Sequence, residues 1–253
     1  MTITFLGTGT SQGVPVIGCD CPVCTSLDFR DKRLRTSIFI EVKGKKLVVD
    51  TGPDFRAQML RERVDHLDAV LFTHAHKDHT AGLDDVRSFN FKQKYDMPVY
   101  GRADVLEQLQ QEFSYIFAKK KYPGVPQVEL HEIQNKAFEA VNIPVLPIDV
   151  LHYKLPVFGF RIDDFTYITD VNHIREVEKE KIKGTKTLVL SALQKEDHIS
   201  HFTLQEALDL IDELKVPKAY LIHMSHRMGL HAEVEKELPE HVELAYDGLK
   251  ISL

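Results

Sequence analysis

Thr73-His74-Ala75-His76-Lys77-Asp78-His79-Thr80 decides how this chain is read. It sets three histidines and one aspartate within six residues. The run before it, Ala69-Val70-Leu71-Phe72, is short and apolar and reads as a buried strand. Ala81 and Gly82 follow, and Leu83-Asp84-Asp85-Val86 reads as the start of a helix. The four ligand-type side chains therefore belong to a strand-to-helix loop, where they can converge on one point. Imidazole nitrogens and carboxylate oxygens suit Zn, Mn or Fe. A polar loop merely rich in histidine gives no reason for this spacing.

Cys19-Asp20-Cys21-Pro22-Val23-Cys24 is a second constellation. Its thiols can wrap one ion, but structural zinc wants four ligands in a closed tetrahedron. The fourth has to come from elsewhere in the chain; otherwise the thiols are reduced and inert. Three cysteines do not make a disulfide framework. Upstream, residues 3–6 read as the first strand, and Gly7-Thr8-Gly9-Thr10-Ser11-Gln12-Gly13-Val14-Pro15 is a glycine-rich loop. It lacks the Gly-Lys-Ser/Thr of a phosphate-binding loop. A loop that brings backbone close to the metal site is the better reading.

Residues 37–42 and 46–50 read as a hairpin turning at Lys43-Gly44-Lys45. Asp50 ends its second strand. Its carboxylate either orients a metal-binding imidazole or caps the helix that Pro53 opens toward Arg61. A strand at 98–100 and a helix at 102–113 follow. Residues 113–126 mix aromatic and basic side chains, either as a flap over substrate or as a helix end docked on the core. From 128 to 169 the chain reads as all β, with His152 and Asp170 each closing an apolar strand. A charge-laced helix is predicted over 173–183. Thr203 reads as a helix N-cap with Glu206 completing a capping box, which puts His201 just before a helix N-terminus. The strand at 219–222 ends in His223-Met224-Ser225-His226, two histidines whose spacing suits two separate sites.

The 253 residues are 43% hydrophobic, enough for a sizeable core in one domain spanning 1–253. A formal charge of −6 argues against a broad nucleic-acid surface. It permits a small anionic substrate, because a metal centre would be the largest local charge. The start of the chain shows no basic and apolar leader pattern, and no stretch has membrane-spanning length. A cytoplasmic protein is expected, with a homodimer as the default assembly.

The order Asp50, His74-x-His76-x-Asp78-His79, His152, Asp170, His223 resembles the metallo-β-lactamase superfamily. The resemblance implies an α/β fold, a four-layer αββα sandwich of two pseudo-symmetric halves with the metals at one sheet edge. A narrower set is similar to the PhnP-type cyclic phosphodiesterases: Gly13-Val14-Pro15 with the cysteine cluster, Gly82-Leu83-Asp84-Asp85, and Ser200-His201-x-Thr203. That similarity implies a structural zinc on Cys19, Cys21, Cys24 and His226. It implies one catalytic metal on His74, His76 and His152, a second on Asp78, His79 and His223, and Asp170 bridging them. The pair would be Mn or Zn, with Fe also accepted. His201, protonated, would donate to a leaving alkoxide. The expected activity is hydrolysis of a small, cyclic phosphodiester. Thioesterases of the glyoxalase II type, PqqB-type proteins and tRNA 3′-processing nucleases resemble the same core. A non-catalytic metal-binding protein would keep the ligands but have no use for His201.

Overall fold

The computed structural model describes residues 1–253. The first half contributes strands β1 (Thr2–Gly7), β2 (Ser37–Val42), β3 (Lys45–Val49), β4 (Ala69–Leu71), β5 (Met97–Gly101) and β6 (Val128–Glu132). The second contributes β7 (Phe138–Ala140), β8 (Ile143–His152), β9 (Leu155–Ile162), β10 (Phe165–Ile168), β11 (His173–Ile174), β12 (Thr187–Ser191), β13 (Lys218–Ile222), β14 (Val242–Leu244) and β15 (Lys250–Ser252). One sheet runs β15-β1-β2-β3-β4-β5-β6; the other runs β11-β8-β9-β10-β12-β13-β14, with β7 paired to β8. The last strand thus crosses back to close the edge of the first sheet.

Period-two patterning assigns each side chain to a layer. Ile38, Ile40, Leu47, Val49, Ala69 and Leu71 point inward and meet Phe158, Phe160, Tyr167, Val189 and Ile222 of the second sheet. Their neighbours Phe39, Val48 and Val70 point the other way, onto the helices Phe55–Arg61, Arg87–Gln93 and Ala103–Glu112. On the far side, Leu188, Leu190, Ala219 and Leu221 pack against the helices Glu176–Ile182 and Leu204–Glu213. Strands β3, β4, β12 and β13 are covered on both faces, which is why they read as continuous apolar runs. The result is a helix–sheet–sheet–helix sandwich, the αββα architecture.

Three local expectations change. The metal motif is not wholly loop: Lys77–Thr80 forms one helical turn, closed by Ala81 N–H donating to Lys77 O at 3.0 Å. The helix foreseen from Leu83 starts as a 3-10 turn, Leu83–Val86, before Arg87–Gln93. The segment 173–183 is not all helix, because His173 and Ile174 pair with β8 and Ile174 is buried. Within 113–126, Ser114–Phe117 forms a docked helical turn while residues 119–124 are exposed. Ile116 is buried, Tyr115 hydroxyl donates to the Asp84 carboxylate, and Tyr122 projects 80% exposed. No helix is long and apolar enough to cross a membrane.

Candidate metal centre and active site

The site is assembled from residues that leave the C-terminal ends of strands, where open α/β sheets place their ligands. Asp50 follows β3, His74 follows β4, His152 ends β8, Asp170 follows β10 and His223 follows β13. Asp50, Asp170 and His223 have φ of 64°, 50° and 57°. This left-handed conformation is uncommon for residues with a Cβ and costs roughly 1–3 kcal/mol each. It turns each side chain sharply off its strand toward a common centre. The metal loop is seated by two glycines. A Cβ on Gly52 would lie 2.1 Å from Asp78 O, and one on Gly82 would lie 2.2 Å from Gly52 O.

Side chains from both halves converge. His74, His79 and Asp170 present ligand atoms within 4.8 Å of one another, as do Asp78, His79 and His223, and His152, Asp170 and His201. Asp170 belongs to the first and third groups and its carboxylate lies 3.1 Å from His79 Nε2 and 3.2 Å from His223 Nε2. The expected trio Asp78, His79, His223 is reproduced as a group. His74, His76 and His152 are not grouped so tightly. His76 is exposed, its ring 4.6 Å from that of His74 and 5.2 Å from that of His152. It stands at the rim of a 620 Å3 cleft that His152, Tyr153, Lys154, Leu155, Ile199 and Ser200 also line.

Fixed partners set which nitrogen of each histidine faces the centre. His79 Nδ1 donates to Asp50 Oδ2 at 2.7 Å, and the same carboxylate accepts from Thr73 N–H and Thr73 Oγ1 at 2.9 and 2.8 Å. His152 Nδ1 donates to Ser200 O at 2.7 Å. His74 Nδ1 meets Thr73 Oγ1 at 3.0 Å. The Nε2 atoms of His74, His79 and His223 are buried without a hydrogen-bond partner, and so is Nδ1 of His201. Buried polar atoms are normally satisfied. A cluster of bare imidazole nitrogens around a carboxylate is the donor set of a first-row metal site, so these residues fit divalent cations.

Burial pushes His74 well below its ordinary pKa, aided by the neighbouring His79. Burial opposes charge on His79 too, but Asp170, Asp50 and Asp78 outweigh it and hold the ring well above the ordinary value. Burial likewise opposes the Asp170 charge, and His223 and His79 overcome it. His201 is drawn down to about 3 by burial and then by His223. That shift favours the neutral ring over the protonated acid expected from the sequence.

The cysteine cluster closes as a separate site. Cys19, Cys21 and Cys24 Sγ lie 3.2, 3.4 and 3.5 Å from His226 Nδ1. Sulfur and nitrogen ligands of one tetrahedral zinc stand about 3.6 Å apart, so the four donors fit that ion. The Cys24 N–H brings the Cys21 thiol down to about 6, toward the thiolate that zinc needs. The glycine-rich loop does approach the catalytic side: Met224 N–H donates to Thr8 O at 3.0 Å and Thr10 N–H to Met224 O at 3.1 Å. His223 and His226 thus serve different clusters, as their spacing suggested. Sequence reasoning reached Asp50 as an orienting group. It gave no role to Thr73 or to the Ser200 carbonyl. A backbone acceptor 48 positions from its histidine leaves no mark in sequence.

Residues 45–224 match the β-lactamase superfamily domain. A crystal structure of a new diphosphatase from the PhnP family superposes with a TM-score of 0.93 at 38% identity, covering 100% of this chain and 97% of that one. An octanoyltransferase from Porphyromonas gingivalis is 40% identical over 253 residues, 99% of this chain but 51% of that protein. Ribonuclease Z from Clostridium kluyveri is 27% identical over 198 residues, 74% of this chain and 58% of the nuclease. The chain thus spans about half the length of the curated relatives it matches. Fold, donor set and similarity agree: the chain belongs to the β-lactamase superfamily domain family and has the metallo-β-lactamase fold, resembling the PhnP-family structure.

Proposed function

We propose that this chain, as one domain over residues 1–253, is a dinuclear metal-dependent phosphodiesterase for a small, cyclic phosphodiester, with a separate structural zinc site. The observation that carries the reading is the Asp170 carboxylate set among buried, partnerless imidazole nitrogens from both halves of the fold. His74, His76 and His152 would hold one cation; Asp78, His79 and His223 would hold the other; Asp170 would lie between them. Cys19, Cys21, Cys24 and His226 would hold the zinc. Such a cation pair, when bound, supplies Lewis acidity toward phosphoryl oxygens and makes a water acidic near neutral pH. Mn, Zn and Fe all accept this nitrogen and oxygen set.

The chain's own groups orient and exclude. Asp50, Thr73 and the Ser200 carbonyl fix the rings of His79, His74 and His152 through Nδ1, so each presents Nε2 inward. His201 lies with its ring 4.4 Å from that of His152 and its Nδ1 3.9 Å from Asp170 Oδ1. As a neutral ring it donates an N–H to the leaving oxygen and stabilises the charge that builds there. Phosphoryl chemistry has a precedent in the 38%-identical diphosphatase. Octanoyl transfer would need a nucleophile to carry the acyl group, and the cysteines converge on His226 rather than on Asp170. The octanoyltransferase also extends over about as many residues again outside the match.

The test is hydrolysis of bis(p-nitrophenyl) phosphate by Mn-loaded protein, with Asp170→Ala as the blank. Turnover that depends on metal and is absent in the blank supports the reading. No turnover, or equal turnover in Asp170→Ala, refutes it. His201→Ala should lower kcat on alkyl leaving groups by about 10²-fold or more, and much less on nitrophenyl esters.

A further inference from the structure

Asn172 stands two residues beyond Asp170 and frames His152 from three sides. Its backbone N–H donates to Leu151 O at 2.9 Å, on the chain just before the histidine. Its Oδ1 accepts from Tyr153 N–H at 2.7 Å, on the chain just after it. Its Nδ2 donates to Ile199 O at 3.1 Å. Ile199 precedes Ser200, whose carbonyl accepts from His152 Nδ1 at 2.7 Å. One residue thus holds both chain neighbours of His152 and the segment that accepts the imidazole's hydrogen bond.

The amide suits this task by its chemistry. A backbone N–H only donates and a backbone carbonyl only accepts, so one orientation of the Asn172 amide satisfies both partners. An ionised aspartate has the same shape but offers acceptors alone. Each segment that Asn172 holds lacks support of its own. Tyr153 is the first of two residues turning β8 into β9, and its φ of 56° is an outlying conformation for a bulky residue. Residues 195–201 form neither helix nor strand. The part of that loop carrying Ser200 and His201 is fastened to the chain after Asp170 at two points. One is the bond from Asn172 to Ile199 O; the other is Phe202 N–H donating to Val171 O at 2.7 Å. Release of the first point lets the Ser200 carbonyl leave His152, and the ring then loses the bond that turns its other nitrogen inward.

We propose that Asn172 is a positioning residue for the metal centre: its three bonds keep His152 and Ser200 in register, and through that pair they aim the His152 ring at Asp170. Loss of a partner that orients a ligating imidazole costs about 10–100-fold in metal affinity. The affinity arm of the test rests on the reading of His152 as a metal ligand; the spectroscopic arm does not.

The experiment records side-chain 1H–15N spectra of the histidines in the zinc-loaded full chain, with the two signals assigned by His152→Asn and His79→Asn. Wild type should show both Nδ1 protons exchanging slowly with water, that of His152 against Ser200 O and that of His79 against Asp50. Asn172→Asp keeps the shape and the bond from Tyr153 N–H but sets an oxygen against Ile199 O. It should speed exchange of the His152 proton about tenfold, within what one such hydrogen bond contributes, and leave His79 unchanged. Asn172→Ala should act in the same direction, and Asn172→Asp carries the test if the alanine variant fails to fold. Competition with a chromophoric chelator should show one zinc equivalent held about 10–100-fold more weakly in both variants. A role in packing alone would spare the isosteric aspartate, or would disturb His79 together with His152; either result overturns the proposal. Unchanged zinc affinity, where zinc does shift the His152 Nε2 resonance of wild type, overturns it as well. If the variants loosen His152 but zinc added to stripped wild type leaves that resonance unmoved, the positioning of the ring stands and the reading of His152 as a ligand fails.

Discussion

Asp50 is the most informative single residue to perturb, because it touches no candidate catalytic atom other than through His79. Its fully buried carboxylate accepts from Thr73 N–H, Thr73 Oγ1 and His79 Nδ1. In Asp50→Asn only one oxygen remains. If that oxygen faces Thr73 Oγ1 and His79, the new amide N–H2 confronts Thr73 N–H; the flipped rotamer confronts His79 instead. Either way at least one buried donor loses its acceptor, at about 1–3 kcal/mol. The other bonds lose charge assistance, while relief from burying a charge works the other way. The net expectation is a loss of about 1–3 kcal/mol in the stability of metal-stripped protein, read by urea unfolding. A released His79 ring should also weaken metal binding about 10–100-fold, read by competition with a chromophoric chelator. The reasoning fails if metal affinity and activity are unchanged while only stability drops, since Asp50 would then be a turn residue alone.

Cys21→Ser should remove one equivalent of zinc and lower the melting temperature while leaving Mn-dependent activity at room temperature; a zinc site held at 100–1,000 times its Kd contributes about 2.7–4.1 kcal/mol, so an unchanged melting temperature refutes the site. Gly52→Ala should displace the Asp78 backbone, because the added methyl lies 2.1 Å from Asp78 O. Its cost is on the order of 1–3 kcal/mol, and metal content should fall with it; a fully metallated, fully active variant would contradict the packing. Asp247 is pushed up to about 6 by burial, against bonds from Leu34 N–H and Thr8. Its folded pKa exceeds the unfolded value, so the folded state holds the extra proton between about pH 4 and 6. Stability relative to Asp247→Asn should therefore decline as pH rises through that window, by on the order of 2–3 kcal/mol; a flat difference curve would show that the carboxyl is not raised.

Most of the fold was legible because its signals are local. The hairpin β2–β3 turns at Lys43 and Gly44 as the composition demanded, and Thr203 with Glu206 forms the full capping box. Apolar runs marked β4, β12 and β13 because both of their faces are covered. The residues of the site were legible for a different reason: ligand chemistry restricts them to a few types at strand ends. What escaped was set by tertiary contact. Lys77–Thr80 turns helical though it lies in a polar loop, and His173–Ile174 extends because β8 offers an edge. The low pKa of His201 comes from burial beside His223, 22 positions away in sequence, which no motif encodes. Asn172 reads in sequence as an ordinary turn residue; its two clasping bonds join segments that only the fold brings together.

The left-handed backbone at Asp170 and His223 has an evolutionary consequence. Glycine adopts that conformation without penalty, so at these positions the fold alone would choose glycine. The chain carries bulkier, polar residues there against its own conformational interest. Selection for thermal robustness without selection for turnover should drift them toward glycine, giving sturdier proteins that have lost their chemistry. Glycine at these two strand ends would thus be a sequence marker of relatives that retain the sandwich but have been released from catalysis.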